Sequence, residues 1–237
     1  MNFGAYYNFF SQFIHVYEKH TNLIKESIEN KYDTVIDLCC GPGINTLIYQ
    51  KSLEFDNFIC IDSNTEYLEV AKKLNSGINN IKYYNILAEE YLNQNNNIRN
   101  SLIIIRGSYH FIENAISLDV FQKQKRLYNN STIIIERSNL SAEMYPLKGE
   151  AKENLLGLTS PIRQRKFIQE GNKWKDFKVV SYGETENTDK IKFYEAVKSR
   201  SMSYLNDIED IDLNVCISEY EGSIIPIYEE YVAYIYE

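Results

Sequence analysis

The chain has 237 residues, of which 44% are hydrophobic and 24% charged, and it carries a formal net charge of −8 at pH 7. This length can bury the core of one domain, and no apolar run is long enough to span a membrane. Because an acidic chain repels a phosphate backbone, we expect neither nucleic acid nor a membrane as a partner. Residues 1–13 are aromatic and lack basic side chains, unlike a secretory signal, so the expected location is the cytoplasm.

The first predicted element is a helix rich in aromatic residues. Phenylalanine and tyrosine recur at spacings of three and four, as on a helix with a wide aromatic face. These residues are Phe3, Tyr6, Tyr7, Phe9, Phe10, Phe13 and Tyr17. One interpretation is that the aromatic face simply packs on the sheet. His15 and His20 lie on the same segment, and we expect His20 to be exposed to solvent.

The most informative stretch is a short apolar strand that ends in a glycine turn. Gly41 and Gly43 lack a Cβ atom, so the backbone can turn sharply and a ligand can lie against it. Residues 44–51 then have helical character, with Asn45 or Thr46 near the cap position. The start of such a helix presents free N–H groups and the positive end of its dipole.

Two short strands are predicted, at residues 34–38 and at residues 57–61. Asp62 directly follows the second strand. A carboxylate at this position can accept hydrogen bonds from both hydroxyls of a ribose. The alternative is an ordinary α/β protein in which Asp62 caps a helix. The glycine turn and an acid at this distance together favour a nucleotide-type cofactor site.

The spacing of the glycines narrows the class of cofactor. A nicotinamide fingerprint has a third small residue after the glycine pair, but Thr46 stands at that position. From Asp37 to Gly43 the sequence instead resembles motif I of the class I S-adenosylmethionine-dependent methyltransferases, D-x-G-x-G-x-G, with Cys39 in place of the first glycine. The resemblance implies S-adenosylmethionine as cofactor and S-adenosylhomocysteine as product.

Further segments resemble the same family and imply its fold, a doubly wound, mostly parallel α/β sheet of seven strands. The third, fourth, fifth and last strands are predicted at residues 81–84, 101–105, 132–136 and 232–236. The turn that faces the adenine corresponds to Ala88 and Glu89, with Leu87 where a polar residue is usual. The cofactor-binding residues implied by the resemblance are Asp37, Cys39, Gly41, Gly43, Asp62, Ser63, Ala88, Glu89 and Arg106.

The segment from Arg106 to Phe111 is similar to one in small-molecule methyltransferases of the trans-aconitate methyltransferase type. This resemblance implies a small metabolite or natural-product intermediate as acceptor, methylated on oxygen, with a carboxylate favoured. A hydroxyl or amine acceptor needs a general base, and His110 is the candidate. In related enzymes the N-terminal segment is a lid over the substrate, which is a second interpretation of its aromatic face. The implied substrate-binding residues are Tyr6, Tyr7, Phe10, Tyr109, His110, Arg163 and Arg200.

We expect a single methyltransferase domain over residues 1–237, with a lid segment at 1–30 and an inserted cap region at 138–205. The cap region is rich in basic residues, and one or two arginines could hold an anionic substrate through paired contacts. Within it, helices are predicted at 142–158 and 191–204 and a strand at 175–181.

Two alternative functions remain open on the same fold. One is N- or C-methylation of a small molecule, and the other is a protein that binds S-adenosylmethionine in a pericyclic or regulatory role without methyl transfer. The protein is expected to be a monomer or a homodimer.

The four cysteines are Cys39, Cys40, Cys60 and Cys216. The first three lie at the ends of predicted buried strands, so we expect reduced thiols. The adjacent pair does not have the spacing of a C-x₂-C chelate, and the sequence shows no acidic metal triad of the catechol type. No metal is therefore predicted.

Overall fold

The computed structural model describes residues 3–28, 31–95, 98–109, 130–138, 147, 149, 153, 177–199 and 222–236. Its helices are α1 (Phe3–Phe10), α2 (Ile14–Ser27), α3 (Ile44–Ser52), α4 (Thr65–Leu74), α5 (Ala88–Gln94) and α6 (Lys190–Lys198), with a short 3-10 helix (Ser11–Phe13) between the first two. Its strands are β1 (Thr34–Leu38), β2 (Asn57–Asp62), β3 (Ile81–Asn85), β4 (Ser101–Arg106), β5 (Thr132–Ser138), β6 (Phe177–Asp189) and β7 (Ile224–Tyr236). No helix in these ranges is long and apolar enough to cross a membrane.

The described strands form one seven-stranded sheet in the order β3-β2-β1-β4-β5-β7-β6. Parallel pairing joins β1 to β2 and β4, β2 to β3, and β4 to β5. β4 is buried along its whole length, as expected for an apolar strand covered on both faces. The predicted mostly parallel sheet is confirmed, and seven strands belong to it within the described residues. Because the strand order reverses between β1 and β4, ligands are expected at the carboxyl ends of these strands.

α3 starts at Ile44, as the sequence predicted, but its capping residue differs from the expectation. Gly43 is the N-cap residue of this helix, whereas Asn45 or Thr46 was expected near the cap. Thr46 is instead fully buried, and its hydroxyl donates to the Asp37 carboxylate at 3.1 Å. A buried carboxylate requires a hydrogen-bond donor, and this requirement determines the position of Thr46.

Two predictions within the range 138–205 also change in extent. The predicted strand is described from Phe177 and continues to Asp189 as β6, the edge strand of the sheet. The later predicted helix, α6, ends at Lys198, where the hydroxyl of Ser199 donates to the carbonyl of Ala196 and competes with helical bonding. Residues 200–204 and almost all of the helix predicted at 142–158 lie outside the described residues.

The chain divides into two compact units. The first comprises residues 1–16, 138–173 and 182–230, and the second comprises residues 17–137, 174–181 and 231–237. In the first unit the ring of Phe9 lies 5.3 Å from that of Phe13 and 5.7 Å from that of Phe193, centroid to centroid, and all three are fully buried. Part of the N-terminal aromatic face is therefore core of the first unit, and its use as a lid stays a prediction.

A buried carboxylate, that of Glu136 on β5, organises the second unit. Its Oε1 lies 2.9 Å from Nδ1 of His20 and 3.0 Å from Nη2 of Arg106, and the hydroxyl of Tyr49 donates to Oε2 at 2.6 Å. All four side chains are 8% exposed or less. The prediction that His20 is exposed is wrong, because Glu136 supplies a buried partner from a position 116 residues further along the chain.

Aromatic rings surround the guanidinium of Arg106. Its Cζ lies 4.3 Å from the ring centroid of Tyr17, 5.2 Å from that of Tyr231 and 5.9 Å from that of Tyr49. Neither Nη atom donates a well-aligned hydrogen bond to a described residue, so the contact with Glu136 is an ion pair. Burial alone would raise the pKa of Glu136, but Arg106 and His20 outweigh burial and lower it to about 2. The carboxylate therefore stays charged at neutral pH.

Gly43 lies where α3 and α4 approach each other. Its φ is +79°, and a Cβ atom there would lie 2.8 Å from Cβ of Ala71 and 2.8 Å from Nδ2 of Asn75. The same Nδ2 donates to the carbonyl oxygens of Gly43 at 3.2 Å and Ala71 at 2.9 Å. Both the backbone conformation and the close approach therefore require glycine at this position.

We expect Glu136→Gln to lower the free energy of unfolding by about 3–5 kcal/mol at neutral pH, because the buried Arg106 loses its counter-charge. The folded-state pKa of Glu136 is depressed from 4.5 to about 2, so its contribution is present above pH 4.5 and is lost as the pH falls toward 2. The difference between wild type and variant should shrink over that range in urea unfolding. Glu69→Gln, at the exposed partner of Lys72, is the control. A difference independent of pH would contradict this account.

Gly43→Ala should lower the free energy of unfolding by about 2–4 kcal/mol. Two costs add: the strain of a left-handed backbone conformation at a residue with a Cβ atom, and the overpacking of that atom against Ala71. Gly77→Ala is the matched control, because a Cβ atom at Gly77 would meet nothing within 4 Å. Urea unfolding of both variants measures the difference. Equal losses in the two variants would show that the close approach at Gly43 has no energetic importance.

Candidate functional site

The candidate site lies at the carboxyl ends of β1 and β2, where the turn of residues 39–43 meets Asp62. Three residues of the turn have positive φ: Cys39 at +60°, Gly41 at +56° and Gly43 at +79°. A Cβ atom at Gly41 would meet nothing within 4 Å, so the space in front of this residue is open. The turn therefore offers a backbone surface against which a ligand can lie.

Asp62 braces the glycine turn against β2. Its Oδ2 accepts a hydrogen bond from the N–H of Gly41 at 2.8 Å, and its Oδ1 accepts one from the N–H of Asn64 at 2.8 Å. The residue is half-buried, and each carboxylate oxygen keeps a further lone pair. Asp62 can therefore hold the turn and still accept hydrogen bonds from a polar ligand. The neighbouring Ser63 is exposed.

Asp37 lies in β1 just before the turn and is 1% exposed. Burial raises the pKa of Asp37 to about 7, although the hydrogen bond from Thr46 partly offsets this effect. The bond joins the end of β1 to the first turn of α3. A direct contact of Asp37 with the cofactor stays a prediction.

Cys39 adopts the left-handed conformation that glycine would adopt without strain, at a cost of roughly 1–2 kcal/mol. Burial raises the pKa of its thiol to about 12. A hydrogen bond with Cys60, together with burial, raises the pKa of Cys40 well above its ordinary value. Both thiols therefore stay protonated at neutral pH, so neither Cys39 nor Cys40 is suited to act as a nucleophile.

Glu89 supplies an unpaired acceptor near the same turn. Its Oε2 is buried and has no hydrogen-bond partner among the described residues. Its negative charge raises the pKa of Cys39, which places the two side chains in the same region. Ala88 is buried, whereas Leu87 is 55% exposed. A buried carboxylate oxygen without a hydrogen-bond partner costs free energy. A ligand that donates a hydrogen bond to this oxygen would remove that cost.

Arg106, predicted to contact a ligand, is engaged with Glu136 and with tyrosine rings. Sequence reasoning missed the cluster around Glu136. The available signal was a glutamate within the otherwise apolar run of residues 132–136, since a carboxylate in a buried strand needs charged or hydrogen-bonding partners. The sequence alone did not indicate which residues those partners are.

The predicted substrate-binding residues are described only in part. Tyr7 and Phe10 lie on α1 in the first unit and are half-buried. Tyr109 follows β4 in the second unit and is 6% exposed. The side chain of Tyr6 and all of His110, Arg163 and Arg200 lie outside the described residues.

An open surface depression of about 590 Å³ lies at the opposite, amino ends of β1 to β3. Its lining mixes charges of both signs, including Lys31, Asp33 and Glu54. Sheets of this class bind ligands at the carboxyl ends of their strands, where the glycine turn lies. We therefore assign the candidate site to the turn and not to the depression.

No protein-family model matches the sequence, and no curated protein matches it significantly. Among solved structures, a proposed methyltransferase from Bacillus halodurans C-125 is 12% identical with a TM-score of 0.53, and the match covers 91% of this chain and 96% of that one. The YcgJ protein from Bacillus subtilis is 12% identical with a TM-score of 0.51, covering 92% and 97%. Precorrin-6y C5,15-methyltransferase from Geobacter metallireducens GS-15 is 10% identical with a TM-score of 0.50, covering 91% and 84%. At this identity the likeness concerns the fold: the chain has the Rossmann-like fold of class I methyltransferases.

Proposed function

We propose that the protein is an enzyme that transfers a methyl group from S-adenosylmethionine to a small molecule and releases S-adenosylhomocysteine. The observation that carries this proposal is the glycine turn after β1, which Asp62 braces from the end of β2. This turn lies where the strand order of the sheet reverses. The likeness to solved methyltransferases adds support at the level of the fold.

The described residues fit this cofactor. The remaining lone pairs of Asp62 would accept hydrogen bonds from the ribose hydroxyls, and the open face of Gly41 would admit the cofactor close to the backbone. The unpaired Oε2 of Glu89 would accept a hydrogen bond from the adenine amino group, a role for which the apolar Leu87 is unsuited. Carboxylates around the turn also suit a positively charged sulfonium.

The reaction needs little side-chain chemistry. When bound, the cofactor supplies a methyl group that is already activated on sulfur. The protein must hold the acceptor in line with that group, within about 3–3.5 Å. A carboxylate acceptor is ionised at neutral pH and needs no base, so we favour O-methylation of a carboxylate. If the acceptor is a hydroxyl or an amine, His110, which follows Tyr109 in the sequence, would be the general base.

An anionic acceptor requires a cationic partner in the protein. Because Arg106 is paired with Glu136, Arg163 and Arg200 are the arginines that we propose for this role. Tyr6, Tyr7, Phe10 and Tyr109 would supply the apolar walls of the substrate site.

The trans-aconitate methyltransferase type of acceptor, a small carboxylic acid, is the specific proposal. It depends on the resemblance of residues 106–111, of which 106–109 are described. The acidic chain argues against a nucleic-acid acceptor. The free thiols of Cys39, Cys40 and Cys60 are compatible with a cytoplasmic location.

Asp62→Ala should weaken binding of S-adenosylhomocysteine by about 1.5–3 kcal/mol, because charge-assisted hydrogen bonds to the ribose are lost. The matched control is Asp56→Ala, an exposed acid just before β2, at the opposite end of the strand. Titration calorimetry should show unchanged affinity for the control. Equal affinities in all three proteins would remove Asp62 from the cofactor site.

The wild-type protein tests the methyl-transfer reaction itself. Incubation of the wild type with S-adenosylmethionine and a panel of small carboxylic acids should produce S-adenosylhomocysteine and a methylated acid, detected by mass spectrometry. If S-adenosylmethionine binds but no S-adenosylhomocysteine forms with carboxylate, hydroxyl or amine acceptors, the protein binds the cofactor without transferring its methyl group. A preference for a nicotinamide cofactor would overturn the whole proposal.

Glu89→Gln should weaken S-adenosylhomocysteine binding by about tenfold, since the amide keeps the shape of the side chain but loses the charge that strengthens the hydrogen bond. Glu90→Gln is the matched control, because Glu90 is the next residue of α5, is exposed and already accepts from Gln94 at 3.0 Å. Calorimetry compares the two variants. If both bind like the wild type, Glu89 has no contact with the adenine.

A further inference from the structure

The surface depression of about 590 Å³ at the amino ends of β1 to β3 lies entirely within the second unit. Its apolar lining residues are Tyr32, Leu53 and Phe55. Tyr32 and Leu53 are 6% and 9% exposed, and Phe55 is half-buried, so the depression contains a continuous area of apolar side chains. Sites for small organic molecules occupy roughly 300–1,000 Å³ and are lined mainly by such side chains. The depression is therefore large enough to hold a small organic ligand.

Backbone hydrogen bonds fix the segments that surround the depression. The N–H groups of Asp56 and Asn57 both donate to the carbonyl of Asp33 at 3.0 Å, which joins the start of β2 to the residue before β1. The N–H of Phe58 donates to the carbonyl of Asn80 at 2.9 Å and joins β2 to the residue before β3. Because these bonds fix the rim, little conformational freedom is lost when a ligand binds.

The charged side chains of the lining favour a cation. They include two exposed acids, Asp33 and Glu54, and the exposed base Lys31. Within the part of the chain that the structure describes, no hydrogen bond or ion pair engages these three side chains. Acids outnumber bases in the lining, so the local electrostatic potential attracts positive charge and repels anions.

The arrangement of the acids favours an organic cation over a metal ion. Metal ligands must converge on one point, and neither Asp33 nor Glu54 belongs to a described group of three converging metal-binding side chains. An inorganic ion would also leave the apolar area of the depression uncovered. An organic ammonium ion can instead contact the carboxylates with its charged end and cover the apolar side chains with its body. The ring of Phe55 adds attraction for a cation.

We propose that this depression is a binding site for a small organic ammonium ion with an apolar body. The ammonium group contacts Asp33 and Glu54, and the apolar body packs on Leu53 and Phe55. The amide of Gln50 is available in the same lining to bind a further polar group of the ligand. The site is separate from the glycine turn, which lies at the other ends of the same strands. The proposal does not depend on the proposed methyl transfer.

The test titrates the full chain with phenethylammonium and follows binding by protein NMR. We expect saturable binding with a Kd on the order of 0.1–1 mM, because the probe is small and its charge stays partly exposed to solvent. Phenylpropionate has a similar body and the opposite charge, and it should bind much more weakly. Added sodium chloride should weaken the binding of phenethylammonium, because salt screens exposed charges.

Two variants remove the proposed charges and keep the shapes of the side chains. Asp33→Asn and Glu54→Gln should each weaken the binding of phenethylammonium about two- to fivefold, and the double variant should weaken it further. Glu69→Gln is the matched control, because Glu69 is an exposed acid that pairs with Lys72 outside the depression. Circular dichroism and urea unfolding verify that each variant is folded.

The proposal is overturned if the wild type shows no saturable binding up to about 10 mM phenethylammonium. It is equally overturned if phenylpropionate binds as tightly as phenethylammonium, or if the folded double variant binds like the wild type. None of these measurements involves S-adenosylmethionine, so their failure is distinct from a failure of the proposed methyl transfer.

Discussion

The carboxylate of Glu136 connects four elements of the second unit. From β5 it contacts Arg106 at the end of β4, His20 on α2 and Tyr49 on α3. Taking an ion pair out of water costs several kcal/mol per ion, and only partners in good positions offset that cost. The tyrosine rings around Arg106 add further stabilisation. Because an incomplete set would leave a buried charge unpaired, these elements must adopt their positions together.

The contacts of Glu136 also fix the position of α3, the helix that follows the candidate site. Thr46 in its first turn is bonded to Asp37 of β1, and Tyr49, almost one turn later, is bonded to Glu136 of β5. Both bonds are buried, so two consecutive turns of the helix are fastened to the sheet. The glycine turn lies directly before this helix and is braced from β2 by Asp62. A turn fixed in this way loses little conformational freedom when a ligand binds, which is the energetic advantage of a preformed site.

The molecule contains carboxylates in two different electrostatic situations, and these support different roles. Glu136 is buried, and Arg106 together with hydrogen bonds compensates its charge, so it is a structural group. Glu89 has a buried oxygen, Oε2, without a hydrogen-bond partner among the described residues. Uncompensated carboxylate oxygens are acceptors for external donors or cations. Compensation of charge therefore separates Glu136 from Glu89, which is the carboxylate that we propose for ligand binding.

The sequence by itself determined the elements whose signals are local. Short apolar runs predicted β1, β2, β4 and β5, and the resemblance to a methyltransferase family predicted β3. The glycine turn followed by Asp62 predicted the position of the candidate site, because burial patterns and backbone requirements act over a few residues. Only the tertiary structure decided which polar groups meet. It paired Arg106 with Glu136, buried His20 against the same carboxylate, and brought His15 to β6 across 171 residues. A charged side chain needs a partner, but its sequence neighbours do not specify that partner, since long-range pairing follows from how strands and helices pack.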